Sequence, residues 1–203
     1  MKVRDTGSGD FQQLEPGTYA ALCYRVIDLG TQTSTFEGKQ TSRHQVLLAF
    51  EVDEPMDDGR PFSVSMFLTA SLHEKATMRK ILESWRGRAF TPEELTGFDL
   101  RAVLGKPCMV SVITTDKGKT KVASVSKLPK GMKPPKAVNP QLHFDLAEYD
   151  ATAFNALSDG LKKIIQQSPE YHAAIAQGGD DYVADGEPPP DVDDEGRSLE
   201  PPF

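Results

Sequence analysis

Lys117, Lys119, Lys121, Lys127, Lys130, Lys133 and Lys136 stand in one stretch that contains no acid. Cations at this density attract the phosphates of a nucleic acid chain, and such binding is salt-dependent because it releases counterions. A second energy term becomes available where flat side chains lie beside the charges, since an unpaired base stacks on an aromatic ring for about 1–3 kcal/mol. Two phenylalanines are placed for this. Phe36 lies among Thr, Ser and Glu, with Lys39 and Arg43 following it. Phe67 alternates with Ser63, Ser65 and Thr69, while Phe62, Val64, Met66 and Leu68 supply the opposite face. Arg25 falls on the less apolar face of a strand-like segment. Arg25, Phe36, Lys39, Arg43, Phe67, Lys117, Lys119 and Lys121 are therefore the candidate contacts for single-stranded nucleic acid. Two bland alternatives stay open: Phe36 packing on its own hairpin, and Phe67 packing beneath helices further along the chain.

Other chemistry has less to work with. The chain has no phosphate-cradling glycine loop, no nucleophile elbow and no metalloprotease helix, and His44, His73, His143 and His172 have no ligand spacing. Cys23 and Cys108 lie in apolar stretches and read as buried free thiols, too few for a zinc site or a disulfide framework. Asp57 and Asp58 mark a turn, where Asp bonds to its own backbone. The expectation is a non-enzymatic protein with no cofactor and no metal. Met1 to Asp10 is polar and no run of about 18 apolar residues occurs, so neither a signal peptide nor a membrane span is expected and the cytoplasm is the expected compartment.

The elements that would position these residues follow from periodicity. Residues 1–13 read as a flexible start. Thr18 to Leu29 is strand-like, with Leu22, Tyr24 and Val26 on one face and Ala21, Cys23, Arg25 and Ile27 on the other. Gly30 to Arg43 has the Thr/Ser composition of a long protruding hairpin loop. His44 to Val52 alternates, Asp58-Gly59 makes a hairpin turn, and Pro61 to Thr69 is a third strand. Ser71 and Glu74 fit a capping box for a helix that carries Met78, Ile81, Leu82 and Trp85 on one face, with Trp85 a core residue. Thr91-Pro92-Glu93-Glu94 starts a second helix. Pro107 to Thr114 and Thr120 to Leu128 return to strand. Three strands, a helix and two more strands is the order of a five-stranded OB-fold barrel spanning 14–129.

After the barrel, 130–145 reads as a Pro/Lys-rich extended linker and 146–176 as a helical segment, with one helix bearing Phe154, Leu157, Leu161, Ile164 and Ile165 and a further helical turn from Ser168-Pro169 through Ile175. Such a segment cannot bury that face alone. It is expected to dock on the barrel or on a second copy, the latter making a homodimer. Over 177–203 there are nine acids and one base, a net charge of −8, within a chain total of −7, so the remainder carries 22 bases against 21 acids, or +1. Rich in Gly, Asp, Pro and Glu, this tail is expected to be disordered.

The tail closes on Asp191-Val192-Asp193-Asp194-Glu195 and Ser198-Leu199-Glu200-Pro201-Pro202-Phe203. With the predicted barrel and the Gly105-Lys106-Pro107-Cys108 to Leu128-Pro129-Lys130-Gly131 segment, it resembles the bacteriophage single-stranded DNA-binding proteins, similar in plan to their bacterial counterparts. The resemblance implies an OB-fold that coats single-stranded DNA during phage replication or recombination in the host cytoplasm. It also implies an acidic tail whose Pro202 and Phe203 dock on replication or recombination proteins. The tip here is Glu-Pro-Pro-Phe where the bacterial pattern is Asp-Ile-Pro-Phe, and a helical segment replaces the Gly/Gln-rich linker. RNA binding by the same cations and rings, and a pure interaction module whose tail mimics DNA, are the alternatives.

Overall fold

The computed structural model describes residues 12–36 and 38–178. The expectations for the N-terminal segment before Gln12, for the tail beyond Gly178 and for Pro202 and Phe203 lie outside them. The chain is mainly β. Its sheet comprises β1 (Gly17–Phe36), β2 (Lys39–Pro55), β3 (Pro61–Thr69), β4 (Pro107–Thr114), β5 (Thr120–Ser126) and the short β6 (Leu142–Phe144). The pairing path is β3-β2-β1-β4-β5, with β6 added to β1, and every pairing is antiparallel except β1 with β6. The path is open, because no ladder joins its end strands β3 and β5.

β1 organises the sheet. Its first residues pair with β4, from Gly17↔Val112 to Leu22↔Pro107, while Ala21 onward pairs with β2. Two bulges, between Cys23 and Arg25 and between Asp28 and Gly30, bend it. The first bulge corrects the strict alternation expected from the sequence: one inserted residue moves Val26 to the face of Ala21 and Cys23, and Ile27 to that of Leu22 and Tyr24. A second correction concerns 30–43. It is not a loop, since Gly30 to Phe36 pairs with Lys39 to Gln45 as a two-stranded ribbon. Its Thr and Ser residues pair across the strands, Thr33 Oγ1 to Ser42 Oγ at 2.9 Å and Ser34 Oγ to Thr41 Oγ1 at 3.1 Å. Cross-strand hydroxyl pairs of this kind stabilise sheets, whereas composition alone suggested a loop.

Each face of the sheet carries its own core. On the inner face Cys23, Val26, Leu48, Phe50, Val110 and Val125 pack against α1 (Thr77–Arg86), which contributes Met78, Ile81, Leu82 and Trp85. Burial pushes the Cys23 thiol up to about 12 and raises that of Cys108 too, and both are free. α1 ends at Gly87, whose left-handed φ of 69° lets its N–H reach the Glu83 carbonyl. It begins later than the Ser71/Glu74 box suggested. Ser71 Oγ instead accepts from the His73 N–H at 3.2 Å, closing a local turn, and Ala76 is an N-cap without a side-chain hydrogen bond.

The Thr91 capping box forms as the sequence implies, opening α2 (Pro92–Thr96), and a 3-10 turn follows at Leu100–Val103. Glu94, the last residue of that box, also meets Arg88 and Arg86. The Arg88 hydrogen bond, then the Thr91 N–H, outweigh desolvation and hold its carboxyl at about 2. A depressed carboxyl contributes stability above its unfolded value of about 4.3 and loses it as pH falls through the folded value. Thermal midpoints of the wild type and Glu94→Gln are accordingly expected to differ most above pH ~4.3 and to converge near pH ~2, which a pH series of melting curves measures.

The outer face of β1 and β2 is covered by the C-terminal third. Here α3 (Ala151–Asn155) and α4 (Asp159–Ile165) replace the single helix expected over Phe154 to Ile165, and α5 (Pro169–Gly178) starts at the expected Ser168-Pro169. The chain turns between α3 and α4, where Ser158 stands at the N-cap position of a new helix without a side-chain hydrogen bond to it. Phe144, Phe154, Leu157 and Ile165 pack on Ile27, Leu29, Leu47 and Ala49. A polar clasp secures α5: Glu170 accepts from the Thr31 amide at 2.8 Å and its hydroxyl at 2.5 Å, and His44 Nε2 lies 2.6 Å from Asp28 Oδ1.

The expected linker 130–145 is likewise held in place. β6 continues the edge of β1 beyond the end of β4, Arg25↔Leu142 to Ile27↔Phe144, and satisfies backbone groups that would otherwise be bare. Just before it, the buried Glu51 carboxylate accepts from the Val138 and Asn139 amides at 2.6 and 2.7 Å and from Asn139 Nδ2 at 2.7 Å. Among the described residues no helix is long and apolar enough to cross a membrane.

Candidate nucleic-acid interface

With β1 and β2 covered, β3 keeps its outer face free. Ser63, Ser65 and Phe67 are exposed along it, and Phe67, opposite Leu47, is 52 % exposed. An aromatic ring half in water on a strand whose other face already fills the core contributes little to packing. Grooves lie at both ends of this face, the first lined by basic side chains without an acid and the second by basic and acidic side chains together. At one end Phe67 shares a groove with Arg43, Ser71, His73, Lys75 and Thr77. The start of α1 contributes to its wall, with first-turn N–H groups that no side chain caps.

At the other end Ser63 and Tyr24, whose hydroxyls are 2.7 Å apart, line a groove with Lys119, Arg60, Asp58 and Asn139. Arg60 is engaged there by Asp58 at 2.6 Å, and its hydrogen bond holds that carboxyl below its ordinary value. Lys119 has no ion pair among the described residues, and neither has Asp57, which lines the same groove, so one unpaired cation stands there beside one unpaired carboxylate. The Ser63 to Phe67 face between the grooves spans roughly 13 Å at strand rise.

The structure thus brings together Arg43 and Phe67, and joins Lys119 to them through β3. Lys39 sits at the ribbon tip, its backbone paired with Phe36, while Arg43 pairs with Gln32 nearer the body. The side chain of Phe36 lies outside the described part. Lys117 and Lys121 are exposed on the β4–β5 hairpin, and Lys121 pairs with Ile113. Arg25 is not brought to either groove. The first bulge and the pairing with β6 leave it half-buried in the sheet, its guanidinium 5.2 Å from the Tyr24 ring and its Nε buried without a partner.

His73 and Lys75 are candidate site residues that sequence reasoning missed. Assigning Ser71 to a helix cap placed both inside a helix, whereas the turn presents them beside Phe67. Among the described residues no group of three or more His, Cys, Asp or Glu side chains could hold a metal. The arrangement offers cations, hydroxyls and one ring in a row, which suits a flexible polyanion with stackable bases. No protein-family model and no curated protein matches this chain.

Proposed function

We propose that this protein binds single-stranded DNA with little sequence preference, without catalysing a reaction, along the outer face of β3. The observation that carries the reading is the exposed Phe67 ring in the groove of Arg43, His73 and Lys75, at the other end of β3 from the groove that holds Lys119. Strand order supports it. A long first strand shared between β2 and β4, with α1 between β3 and β4, follows the order of an OB-fold opened between β3 and β5. In such barrels the β2–β3 face and the β1–β2 and β4–β5 loops contact oligonucleotides, which here means Phe67, the ribbon bearing Lys39 and Arg43, and the hairpin bearing Lys117 and Lys119. The resemblance to phage single-stranded DNA-binding proteins extends this to coating DNA in replication or recombination, with the acidic stretch after Gln177 meeting partner proteins.

The test is a titration of labelled poly-dT, its RNA equivalent and duplex DNA at several salt concentrations. Binding of poly-dT is expected to be tightest, with log affinity falling by about 0.7 per phosphate neutralised for each unit of log salt. Equal affinity for duplex and single strand overturns the proposal. Preference for RNA makes the protein an RNA binder, and absence of all binding leaves an interaction module.

A further inference from the structure

Lys127, Lys130, Lys133 and Lys136 recur at every third residue, and from Lys117 to Phe144 the chain holds no acid. All four are exposed and none forms an ion pair among the described residues. A solvated charge run on a loose linker would need no function. This run, however, is not loose.

The Lys127 amide donates to the Ser84 carbonyl at 3.2 Å, the Met132 amide to Pro129 at 3.2 Å, Pro135 is buried, and Glu51 grips Val138 and Asn139. Pro134 and Pro135 further restrict the backbone. The strap is therefore fixed at both ends and near its middle although it has no regular secondary structure before β6. Lysines on a fixed backbone lose less entropy on binding than lysines on a mobile tail.

Between the charges lie apolar side chains turned to water: Met132 is 45 % and Val138 68 % exposed. Cations alternating with apolar contacts suit a chain whose own charges alternate with apolar rings, which describes a single strand better than a duplex with its bases stacked inside. The strap also connects to the proposed site, because Asn139, its anchor on Glu51, lines the same groove as Lys119, Tyr24 and Ser63.

We propose that Lys130, Lys133 and Lys136 form a second phosphate-binding rail that continues the path of a single DNA strand off β3, past Lys119. The proposal rests on the single-strand reading above. It predicts that the binding site is longer than the β3 face, and that a short oligonucleotide held by Phe67 alone ignores the rail.

The experiment compares the full-length wild type with a Lys130→Gln, Lys133→Gln, Lys136→Gln triple variant, using thymidine oligomers of about 6 and about 30 nucleotides. Melting curves confirm that the variant, altered only at exposed positions, is folded. On the long oligomer the slope of log affinity against log salt is expected to lose about 2 units, at about 0.7 for each of three phosphates, and low-salt affinity to fall at least ~10-fold. Affinity for the short oligomer is expected to stay within about twofold.

An unchanged slope on the long oligomer overturns the rail. If Phe67→Ala still weakens binding in that case, the β3 site survives without it. Failure of the wild type to bind either oligomer overturns both readings. If the triple substitution matters only while residues 178–203 are present, the rail seats the acidic stretch and not DNA, and the proposal falls.

Discussion

Trp85→Ala is expected to cost about 3–5 kcal/mol of folding free energy while leaving the DNA affinity of the folded fraction nearly intact. Phe67→Ala is expected to do the reverse. Trp85 is 5 % exposed, its ring centroid lies 5.6 Å from that of Phe50, and its indole N–H donates to the Pro107 carbonyl at 2.9 Å. Truncation opens a cavity between α1 and the sheet and leaves a part-buried carbonyl without its indole donor, two penalties of one sign. Phe67 has no comparable surroundings. Its loss changes stability on the order of 0.5 kcal/mol, as at other surface sites, but removes about 1–3 kcal/mol of stacking. Urea unfolding and a poly-dT titration on both variants check the pair. Unfolding of the domain by Phe67→Ala with binding intact in the folded fraction would place that ring in the core and end the stacking assignment.

How far the fold could be read from the chain depends on how local each cause is. β3 was legible because alternation of Phe62, Val64, Met66 and Leu68 with Ser63, Ser65 and Phe67 is a local pattern that the structure keeps. The Thr91 box and the Asp58-Gly59 turn are equally local. β1 was legible as a strand but not in its facing, because a bulge depends on what the partner strands require, and nothing in the Cys23-Tyr24-Arg25 sequence announces one. The ribbon over 30–43 was misread because Thr and Ser serve loops and solvated strands alike. β6 was invisible: three residues, Leu142 to Phe144, form a strand only because β4 ends opposite Leu22 and leaves an edge of β1 to be filled.

The site divides in the same way. Phe67 could be found, since a ring on the polar parity of a strand is a local anomaly. Its meeting with Arg43 follows from β2 pairing with β3, which hairpin order suggests. His73 and Lys75 could not be found, because their placement depends on where α1 starts, and the Ser71 signal pointed five residues too early. Arg25 was assigned from strand parity and lost with it. The strap escaped for another reason: its stiffness comes from Glu51, distant in sequence, and composition alone describes a linker.

Glu51 thus joins the fold to the proposed DNA path, and Glu51→Ala tests that link. The carboxylate is 2 % exposed on β2, between Leu22 and Ser63, and three N–H groups of residues 138–139 converge on it. Hydrogen bonds to a charged group contribute about 1.5–3 kcal/mol each but are not additive when they share one acceptor, so a loss of about 3 kcal/mol is expected. Glu51→Gln is expected to fall between wild type and alanine, because its amide keeps one acceptor yet turns a donor toward donors. Amide exchange at Val138 and Asn139 is expected to rise ahead of the core, marking local release of the strap. On the long thymidine oligomer the salt slope of the folded Glu51→Ala protein is expected to flatten toward that of the triple lysine variant, although every lysine remains. A purely structural Glu51 would lower stability without moving that slope. Protected amides at 138–139 and an unmoved urea midpoint would mean instead that buried apolar contacts such as Pro135 hold the strap without the carboxylate.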